Sequence, residues 1–461
     1  MANTHSPPET KETIKNRRRA QVSSFIGTSV EFYDFLLYGT ASALVFPTLF
    51  FPGTDPLMGT LASFGTLAVG YFARPLGGAI FGHFGDRIGR KTMLMITLFM
   101  MGAVSFLIGL MPTYATLGVW APILLITLRL IQGVAVGGEW AGAALMSMEH
   151  AKPKSKGFAG SIVASGGPMG AVLATLVFTP FSMLPEAQFF SWGWRVPFLL
   201  SVVLVIIGFF MRRNVTETPE FQAALERAKE NPPEQIPIVS VFFKNFPQVF
   251  SGILGGLAPL FMQSILATFF LTYAVNVGGY DRPSALWLIT IANAIHIFTI
   301  PAFAILSDRI GRKPVMVTGA VAGVLLIYPM FWLVGLHNNW ALLAAFIIGN
   351  PLIQGMMYGP MAAWIGEKFP ADIRYTGVAV TYQLSTTLGA GLAPLVATSL
   401  LAMAGGTSPI YVIWFFIGLA VLSGGAYLFS RDSSRDEDEL APEDIVDATD
   451  PDLREIASIA V

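Results

Sequence analysis

Long apolar runs limit what this chain can fold into more than any other feature. About twelve runs of roughly 20 to 25 residues follow one another, and a helix of about 20 residues crosses the roughly 30 Å hydrocarbon core of a bilayer. Only 12% of the 461 residues are charged, whereas soluble domains carry about 25%. The pattern predicts an all-α integral membrane protein with about twelve transmembrane helices, and it excludes a typical soluble enzyme.

The Lys and Arg residues are concentrated in every second connection between the runs. The connections 47–57, 112–121, 183–194 and 403–408 contain none. Positively charged connections stay in the cytoplasm, so we expect both termini of this multi-pass protein to be cytoplasmic. A cleaved secretory signal is disfavoured, because the first run is too long and no small-residue cleavage site follows it.

An internal repeat divides the chain into two halves. The hexapeptide Asp86–Lys91 recurs letter for letter as Asp308–Lys313, and Leu130–Gly133 recurs at the same offset as Leu352–Gly355. Parallel repeats of this kind are typical of transporters that rock one bundle against the other around a central site. The predicted organisation is a cytoplasmic segment 1–20, a six-helix bundle 21–211, a cytoplasmic linker helix 212–245, a second six-helix bundle 246–430 and a solvated acidic tail 431–461.

Five charged side chains lie well inside apolar runs of the first half. They are Glu31, Asp34, Arg74, Arg129 and Glu139. A charge at mid-bilayer costs at least about 2.5–3.5 kcal/mol, so such residues mark a transport pathway by default, although a structural ion-pair network is the alternative. A guanidinium near a carboxylate favours its ionised form. We therefore predict that Asp34 carries a proton, with Arg129 as the switch and Glu31 and Glu139 as secondary acids.

Other polar side chains inside the runs are candidates for contact with a substrate. Arg74 suits an anionic substrate, and the second half keeps Gln354 but has Pro351 where the repeat places the counterpart of Arg129. We therefore expect more of the substrate selection in the second half. The predicted substrate-binding residues are Arg74, Tyr38, Gln132, Gln263, Asn293, His296, Gln354, Tyr358 and Tyr382. Each of them alone is equally compatible with a hydrogen bond between helices.

The repeated hexapeptide predicts a gate at the cytoplasmic side. Glycine permits a tight turn where a Cβ would clash, and the aspartates are suited to cap the next helix or to pair with an arginine of a neighbouring helix. The alternative is that the basic residues only set the topology. The predicted gating residues are Gly82, Asp86, Arg87, Gly89 and Arg90, with Asp308, Arg309, Gly311 and Arg312 in the second half.

Several motifs resemble those of one known group of proteins. Gly82–Lys91 is similar to the helix 2–3 loop of the major facilitator superfamily, and Arg129 with Gln132–Gly133 is similar to its fourth-helix motif. The stretches Glu31–Phe35, Arg74–Gly78, Gly137–Trp140 and Ser191–Phe198 resemble the metabolite:H⁺ symporter family, which includes shikimate, 2-oxoglutarate, citrate and proline/betaine carriers. Within that family the chain most resembles the shikimate-type branch. The resemblance lies in the stretch Trp120–Leu125, which is followed by Arg129.

The resemblance and the buried charges together predict a proton-coupled symporter that takes up a small organic acid by alternating access. The alternatives are a proline/betaine osmolyte symporter, a drug exporter suggested by Gly166–Gly170, and a non-transporting sensor on the same scaffold. No hydrolase elbow, zinc spacing or phosphate loop is present, and there is no cysteine. We expect no enzyme activity, no metal or cofactor and no nucleic-acid partner, and we expect a monomer in the lipid bilayer.

Overall fold

The computed structural model describes residues 11–53, 56–213 and 237–430, together with the single positions 217, 222 and 226. Most of the predicted linker helix 212–245 and the whole acidic tail 431–461 therefore lie outside the described residues, as do residues 1–10. Within the described part the chain is helical, which agrees with the predicted all-α class.

Twelve long helices account for most of the described residues. Ten of them, α3 to α12, are long and apolar enough to span a membrane, while α1 and α2 are longer still and carry the buried charges Glu31, Asp34 and Arg74. The helices are α1 Lys11–Leu44, α2 Pro56–Ile88, α3 Arg90–Leu110, α4 Trp120–Glu149, α5 Lys156–Ser182, α6 Arg195–Arg213, α7 Phe246–Asn276, α8 Arg282–Ile310, α9 Arg312–Val334, α10 Asn339–Gly366, α11 Arg374–Met403 and α12 Ile410–Phe429.

The outer surface of the helices is apolar, as a bilayer requires. Phe99, Phe298 and Trp332 are 69%, 74% and 58% exposed. Exposed apolar surface on this scale is unfavourable in water, and lipid tails cover it without such a cost.

Glycine brings helices α2 and α4 of the first bundle into close contact. A Cβ on Gly77 would lie 1.9 Å from the Val134 carbonyl oxygen, and one on Gly137 would lie 2.3 Å from that of Arg74. Small residues are the usual means of close helix packing in membranes. A Cβ on Gly70 would lie 2.6 Å from Nε of Arg129, so this glycine leaves room for a buried guanidinium.

The two bundles meet along two pairs of helices, α2 with α11 and α5 with α8, and α4 also contacts α11. The repeated loops lie at one end of this interface, which we call the motif end. Gly89 and Gly311 have φ angles of 115° and 98°, a region that side chains with a Cβ rarely adopt. Gly89 lies between α2 and α3, and Gly311 lies between α8 and α9. The connection between these two helices therefore has the same backbone turn in both halves.

Candidate functional site

A chain of hydrogen bonds joins Asp34 to Arg129 through two neutral side chains. Ser105 Oγ donates to Asp34 Oδ2 over 2.8 Å, and Gln132 Nε2 donates to Ser105 Oγ over 2.9 Å. Arg129 Nη1 donates to Gln132 Oε1 over 2.6 Å. Asp34 Oδ1 has no partner among the described residues. The predicted proton carrier and its predicted switch therefore belong to one buried network, but they do not touch.

Aromatic rings surround the two arginines that the sequence singles out. The Arg129 guanidinium lies 4.2 Å from the ring of Tyr38 and 5.1 Å from that of Phe35. Arg74 lies 4.8 Å from the ring of Phe35 and 4.6 Å from that of Tyr71. The negative face of an aromatic ring stabilises a desolvated cation. Among the described residues, Arg74 has no carboxylate within 4 Å and no hydrogen bond, although only 6% of it is exposed.

Glu31 and Glu139 differ in their surroundings. Glu31 is 3% exposed, its Oε2 has no hydrogen-bond partner in the described part of the chain, and its charged neighbours are Arg74, Glu139 and Arg212. Glu139 is ion-paired with Arg212 and accepts a 2.7 Å hydrogen bond from Thr97. Two of the predicted acids therefore lie together, but only Glu139 has a cation in direct contact.

Arg212 is a site residue that the sequence analysis missed, because it was assigned to the linker. It lies in the last turn of α6, is 3% exposed, and enters a space that a Cβ on Gly27 would fill. Two features of the sequence could have indicated it. Arg212 directly follows an apolar run, and the first half has three embedded acids but only two embedded bases, so one acid lacked a basic partner. Ser105 gave no such signal, because a serine inside an apolar run is commonplace.

Aromatic side chains of both halves meet where α4 faces α10 and α11. The rings of Trp140 and Tyr382 stack at a centroid distance of 3.5 Å and an angle of 6°. The hydroxyls of Tyr358 and Tyr382 are 2.9 Å apart. Beside them, Gln383 Nε2 donates to the Gly137 carbonyl oxygen over 3.0 Å. The predicted substrate residues Tyr358 and Tyr382 thus take part in a contact between the bundles.

Most of the remaining polar candidates of the second half lie on α8 and α10. Asn350 Nδ2 donates to Asn293 Oδ1 over 3.1 Å, and His296 Nδ1 is 3.2 Å from Thr299 Oγ1. Gln354 is completely buried. Gln263 lies on α7, is partly buried, and has no hydrogen bond to this group within the described residues. In the first half, Tyr38 bonds to Thr66 Oγ1 over 2.7 Å.

The aspartates of the repeated loops cap helices of the opposite bundle. Asp86 accepts hydrogen bonds from the backbone N–H groups of Tyr375 and Thr376 at the start of α11, over 3.1 and 2.9 Å. Asp308 accepts from those of Gly157 and Phe158 at the start of α5, over 2.9 and 2.8 Å. From the sequence these aspartates were expected to cap the next helix or to pair with an arginine of a neighbouring helix, and Asp308 does pair with Arg312 of α9. The structure instead places both caps across the interface, so they hold the motif end closed.

The other gating residues divide by burial. Arg90 is buried and pairs with Glu149 over 3.0 Å, and the buried Arg312 pairs with Asp308 and with Glu367, the latter over 3.3 Å. Arg87 and Arg309 are exposed. A Cβ on Gly82 would lie 2.7 Å from the Cα of Thr376, so this glycine permits the close approach of α11. No cluster of three or more His, Asp or Glu side chains suited to a metal ion occurs within the described residues.

Two helical bundles, with charges buried inside the first of them, form the architecture of a secondary transporter. Residues 20–232 match the family model "Sugar (and other) transporter", and residues 279–456 match "Major Facilitator Superfamily". The shikimate transporter of Escherichia coli is 40% identical over 93% of this chain and 98% of its own length. The proline/betaine transporter of Salmonella typhimurium is 34% identical over 82% of this chain and 77% of its own length.

The fold is also similar to that of a solved transporter. The proton:xylose symporter XylE bound to 6-bromo-6-deoxy-D-glucose superimposes with a TM-score of 0.74, at 14% identity, over 89% of this chain and 95% of its own. The chain belongs to the major facilitator superfamily and, within it, to the metabolite:H⁺ symporter family. It is a multi-pass membrane protein, and its relatives are transporters rather than enzymes, so the predicted fold class and family are confirmed.

Proposed function

We propose that this protein is a proton-coupled symporter that takes up a small organic acid across the bacterial inner membrane by alternating access. The observation that carries the proposal is that one bundle holds two separate features: a buried Arg74, which has no ion pair or hydrogen bond among the described residues, and the hydrogen-bonded network of Asp34. The first offers a site for an anion, and the second offers a site for a proton. The 40% identity to a shikimate transporter supports the class of substrate.

In this proposal the proton resides on Asp34 when Arg129 is distant. One carboxylate oxygen accepts from Ser105, and the other has no hydrogen-bond partner among the described residues, as suits a neutral carboxylic acid in a dry site. Movement of Arg129 toward Asp34 would displace Gln132, favour the carboxylate and release the proton. Arginine suits the switch because it stays charged in a protein.

The substrate carboxylate binds to Arg74 in this proposal. A guanidinium offers a planar pair of donors that matches both oxygens of a carboxylate, and Arg74 has no competing ion pair among the described residues. Glu31 is the second proton site, since it lies near Arg74 without a direct partner. Glu139 contributes less to proton coupling, because it can bind a proton only when its ion pair with Arg212 is broken.

We place the motif end in the cytoplasm, because the basic residues collect there. The two cross-bundle caps and the Trp140–Tyr382 stack would then form a closed cytoplasmic gate. In this conformation the substrate would have no exit to the cytoplasm. Opening requires all of these contacts to break together as the bundles tilt. All of these gate contacts lie within one chain, so the proposed mechanism requires no dimer.

A second candidate is a symporter for a zwitterionic osmolyte. Tyr358 and Tyr382 are electrostatic neighbours of Glu31, and parting of the Trp140–Tyr382 stack would free aromatic faces of the kind that attract quaternary ammonium ions. The 34% identity to proline/betaine transporters favours the same substrate. A zwitterion would use Arg74 for its carboxylate and this aromatic group for its cation.

The test is uptake by the purified full-length protein in proteoliposomes with an acidic exterior. Labelled shikimate, 2-oxoglutarate, citrate, proline and glycine betaine are compared with and without a protonophore. We expect accumulation of a carboxylic acid that the protonophore abolishes. Preference for glycine betaine or proline would favour the second candidate, and binding without flux would indicate a sensor.

A further inference from the structure

The two repeated loops are alike except for one contact. Arg90 pairs with Glu149 in the first half, and Arg312 pairs with Glu367 in the second. In the first half a further carboxylate, that of Glu217 in the linker, lies at the start of the helix that follows the loop. The described residues of the second half contain no counterpart of this carboxylate.

Glu217 completes the first turn of α3 from outside that helix. Its Oε1 accepts a hydrogen bond from the backbone N–H of Arg90 over 3.2 Å, and its Oε2 accepts one from that of Lys91 over 3.3 Å. Lys91 Nζ donates to the carbonyl oxygen of Arg213 over 2.9 Å. The first backbone N–H groups of a helix have no partner within it and attract anions. The chain that leaves α6 is therefore fixed to the start of α3 by a carboxylate and a lysine.

The start of α9 has the same two residues but lacks both contacts. Arg312 and Lys313 begin this helix, and within the described residues no group accepts a hydrogen bond from their backbone N–H groups. Lys313 Nζ has no hydrogen bond or ion pair in this part of the chain. Because the hexapeptide is identical in both halves, residues that hold a carboxylate in the first half are available to hold one in the second.

A second lysine adds positive charge at this place. Lys368, in the connection between α10 and α11, is an electrostatic neighbour of Lys313. Burial and, to a smaller extent, the charge of Lys313 lower the pKa of Lys368 to about 8, against the opposing effect of Glu367. A carboxylate close to both lysines would offset the repulsion between them.

The acidic tail begins beside these lysines. Ser430, the residue after α12, accepts a hydrogen bond from Lys368 Nζ over 2.5 Å. In addition, α12 packs against α9 as α6 packs against α3. An extended chain advances by about 3.3–3.6 Å per residue, so residues 431–439 span up to about 30 Å and can reach the start of α9.

The charge of the tail is opposite to that of the lysines. Residues 431–461 contain eleven acidic and three basic side chains. Glu217 follows the last residue of α6 by four positions, and Asp432 follows that of α12 by three. We call residues 432–439 the proximal tail, and its acids are Asp432, Asp436, Glu437, Asp438 and Glu439.

We propose that the proximal tail docks a carboxylate on the backbone N–H groups that begin α9 and on Lys313 and Lys368, as the linker docks Glu217 on α3. The tail is then the counterpart of the linker, and it fixes the second repeated loop as the linker fixes the first. Because Asp308 of that loop caps α5 across the interface, docking stabilises the closed motif end. Composition alone predicts a solvated tail, and the proposal keeps the distal part of the tail in solvent.

The experiment measures where the tail lies in the purified full-length protein, in nanodiscs of phosphatidylcholine, which has no net charge. The chain has no cysteine, so spin labels on Ser434→Cys and Val321→Cys report one distance by pulsed electron paramagnetic resonance. Val321 is 51% exposed and lies on α9, nine residues beyond Arg312. We expect a narrow distance distribution that becomes broad when the five acids of the proximal tail are replaced by Asn and Gln.

The matched control removes the same charge from the distal tail, by replacing Glu443, Asp444, Asp447, Asp450 and Asp452 with the corresponding amides. It should keep the narrow distribution, whereas Lys313→Gln combined with Lys368→Gln should broaden it. A broad distribution in the unsubstituted tail, or equal broadening in the proximal and distal variants, refutes the docking. If the double lysine variant fails to fold, the two tail variants decide the question.

An anionic lipid headgroup is the other occupant that these lysines could hold. The same labelled protein is therefore measured after phosphatidylglycerol is added to the nanodiscs, and we expect the narrow distribution to persist. Displacement of the tail by this lipid would make the headgroup the occupant and overturn the proposal.

The effect of docking on the motif end is measured with a second labelled pair, Ile88→Cys and Ile310→Cys, at the two repeated loops. An anionic group at a helix start stabilises it modestly, so loss of the five proximal acids should increase the open population by about two- to fivefold. The distal control should leave this population unchanged. An unchanged population in the proximal variant would overturn the stabilising role of the tail.

Discussion

At the scale of single residues, the important feature is that some buried charges are ion-paired and others are not. Arg74 and Asp34 have no ion-pair partner within 4 Å among the described residues, whereas Glu139 is paired with Arg212. A buried pair satisfies its own charges, and breaking it is expensive. An unpaired buried charge is available for a ligand or a proton, which is why the first two residues carry the functional proposal.

The first prediction concerns the proton site. Asp34→Asn keeps the shape of the side chain but cannot exchange a proton, so proton-driven accumulation should fall at least about tenfold. Exchange of labelled for unlabelled substrate without a pH gradient should persist. Thr40→Val on the same helix, whose hydroxyl bonds to the Leu36 carbonyl oxygen over 2.9 Å, is the control. Undiminished accumulation by Asp34→Asn would show that another group carries the proton.

The second prediction concerns the anion site. Arg74→Lys retains the charge but loses the forked pair of donors, so the KM for a carboxylic acid should rise by about tenfold with a smaller change in maximal rate. Arg74→Gln should bind more weakly still. Arg282→Lys, at an exposed position in the first turn of α8, should behave like the wild type. An unaltered KM in Arg74→Gln would place the carboxylate elsewhere.

At the scale of elements, helix ends connect the two halves. Asp86 completes the first turn of α11, and Asp308 completes the first turn of α5. The first backbone N–H groups of a helix have no partner within it, so each cap is needed only while the bundles are together at the motif end. The repeated hexapeptide therefore supplies two equivalent contacts that stabilise one conformation.

The third prediction is that removing a cap opens the motif end. An N-cap aspartate contributes about 0.5–2 kcal/mol, so Asp86→Ala should increase the open population by about two- to thirtyfold. The chain has no cysteine, so spin labels on Ile88→Cys and Ile310→Cys would be the sole thiol-linked probes. Both positions are exposed, at 54% and 46%.

Pulsed electron paramagnetic resonance on this labelled pair measures the distance between the bundles. A longer distance should gain population in Asp86→Ala and in Asp308→Ala. Ser284→Ala at a helix start within the second bundle, where Asp281 forms a local cap, should leave the distribution unchanged. Identical distributions in all variants would mean that the caps do not set the conformation.

At the scale of the whole molecule, the closed interface is continuous from the motif end to the aromatic stack. The caps lie at its end, Tyr375 donates to the Gly138 carbonyl oxygen over 2.8 Å, and the Trp140–Tyr382 stack lies further in. Glu139, next to Trp140, ties the same turn of α4 to α6 through Arg212. Tilting of the bundles must break the cross-bundle contacts while the pair within the first bundle persists.

The fourth prediction separates the stack from its hydrogen bond. Tyr382→Phe keeps the ring against Trp140 and loses only the contact with the Tyr358 hydroxyl, so it should transport at a rate close to that of the wild type. Trp140→Ala removes the stack and should favour the open motif end by about two- to twelvefold, since aromatic pairs add roughly 0.5–1.5 kcal/mol to their area burial. The same spin-labelled pair reports the change. Equal behaviour of the two variants would contradict a gating role for the stack.

The sequence alone determined the helical membrane fold, the division into two halves and the family. These features follow from patterns along the chain, because an apolar run must be long enough to cross a bilayer and a repeat preserves its spacing. The embedded charges Glu31, Asp34, Arg74, Arg129 and Glu139 were also evident, since each interrupts an apolar run.

Only the tertiary structure decided which of these groups meet. The hydrogen bonds of Ser105 to Asp34 and to Gln132, the pairing of Glu139 with Arg212, and the caps that cross between the bundles all join residues far apart in the chain. Such contacts depend on how each helix is rotated and how closely its glycines let it pack. The rotation of each helix about its own axis is fixed by its packing against other helices and cannot be deduced from the apolar runs. The contacts are therefore evident only in the tertiary structure.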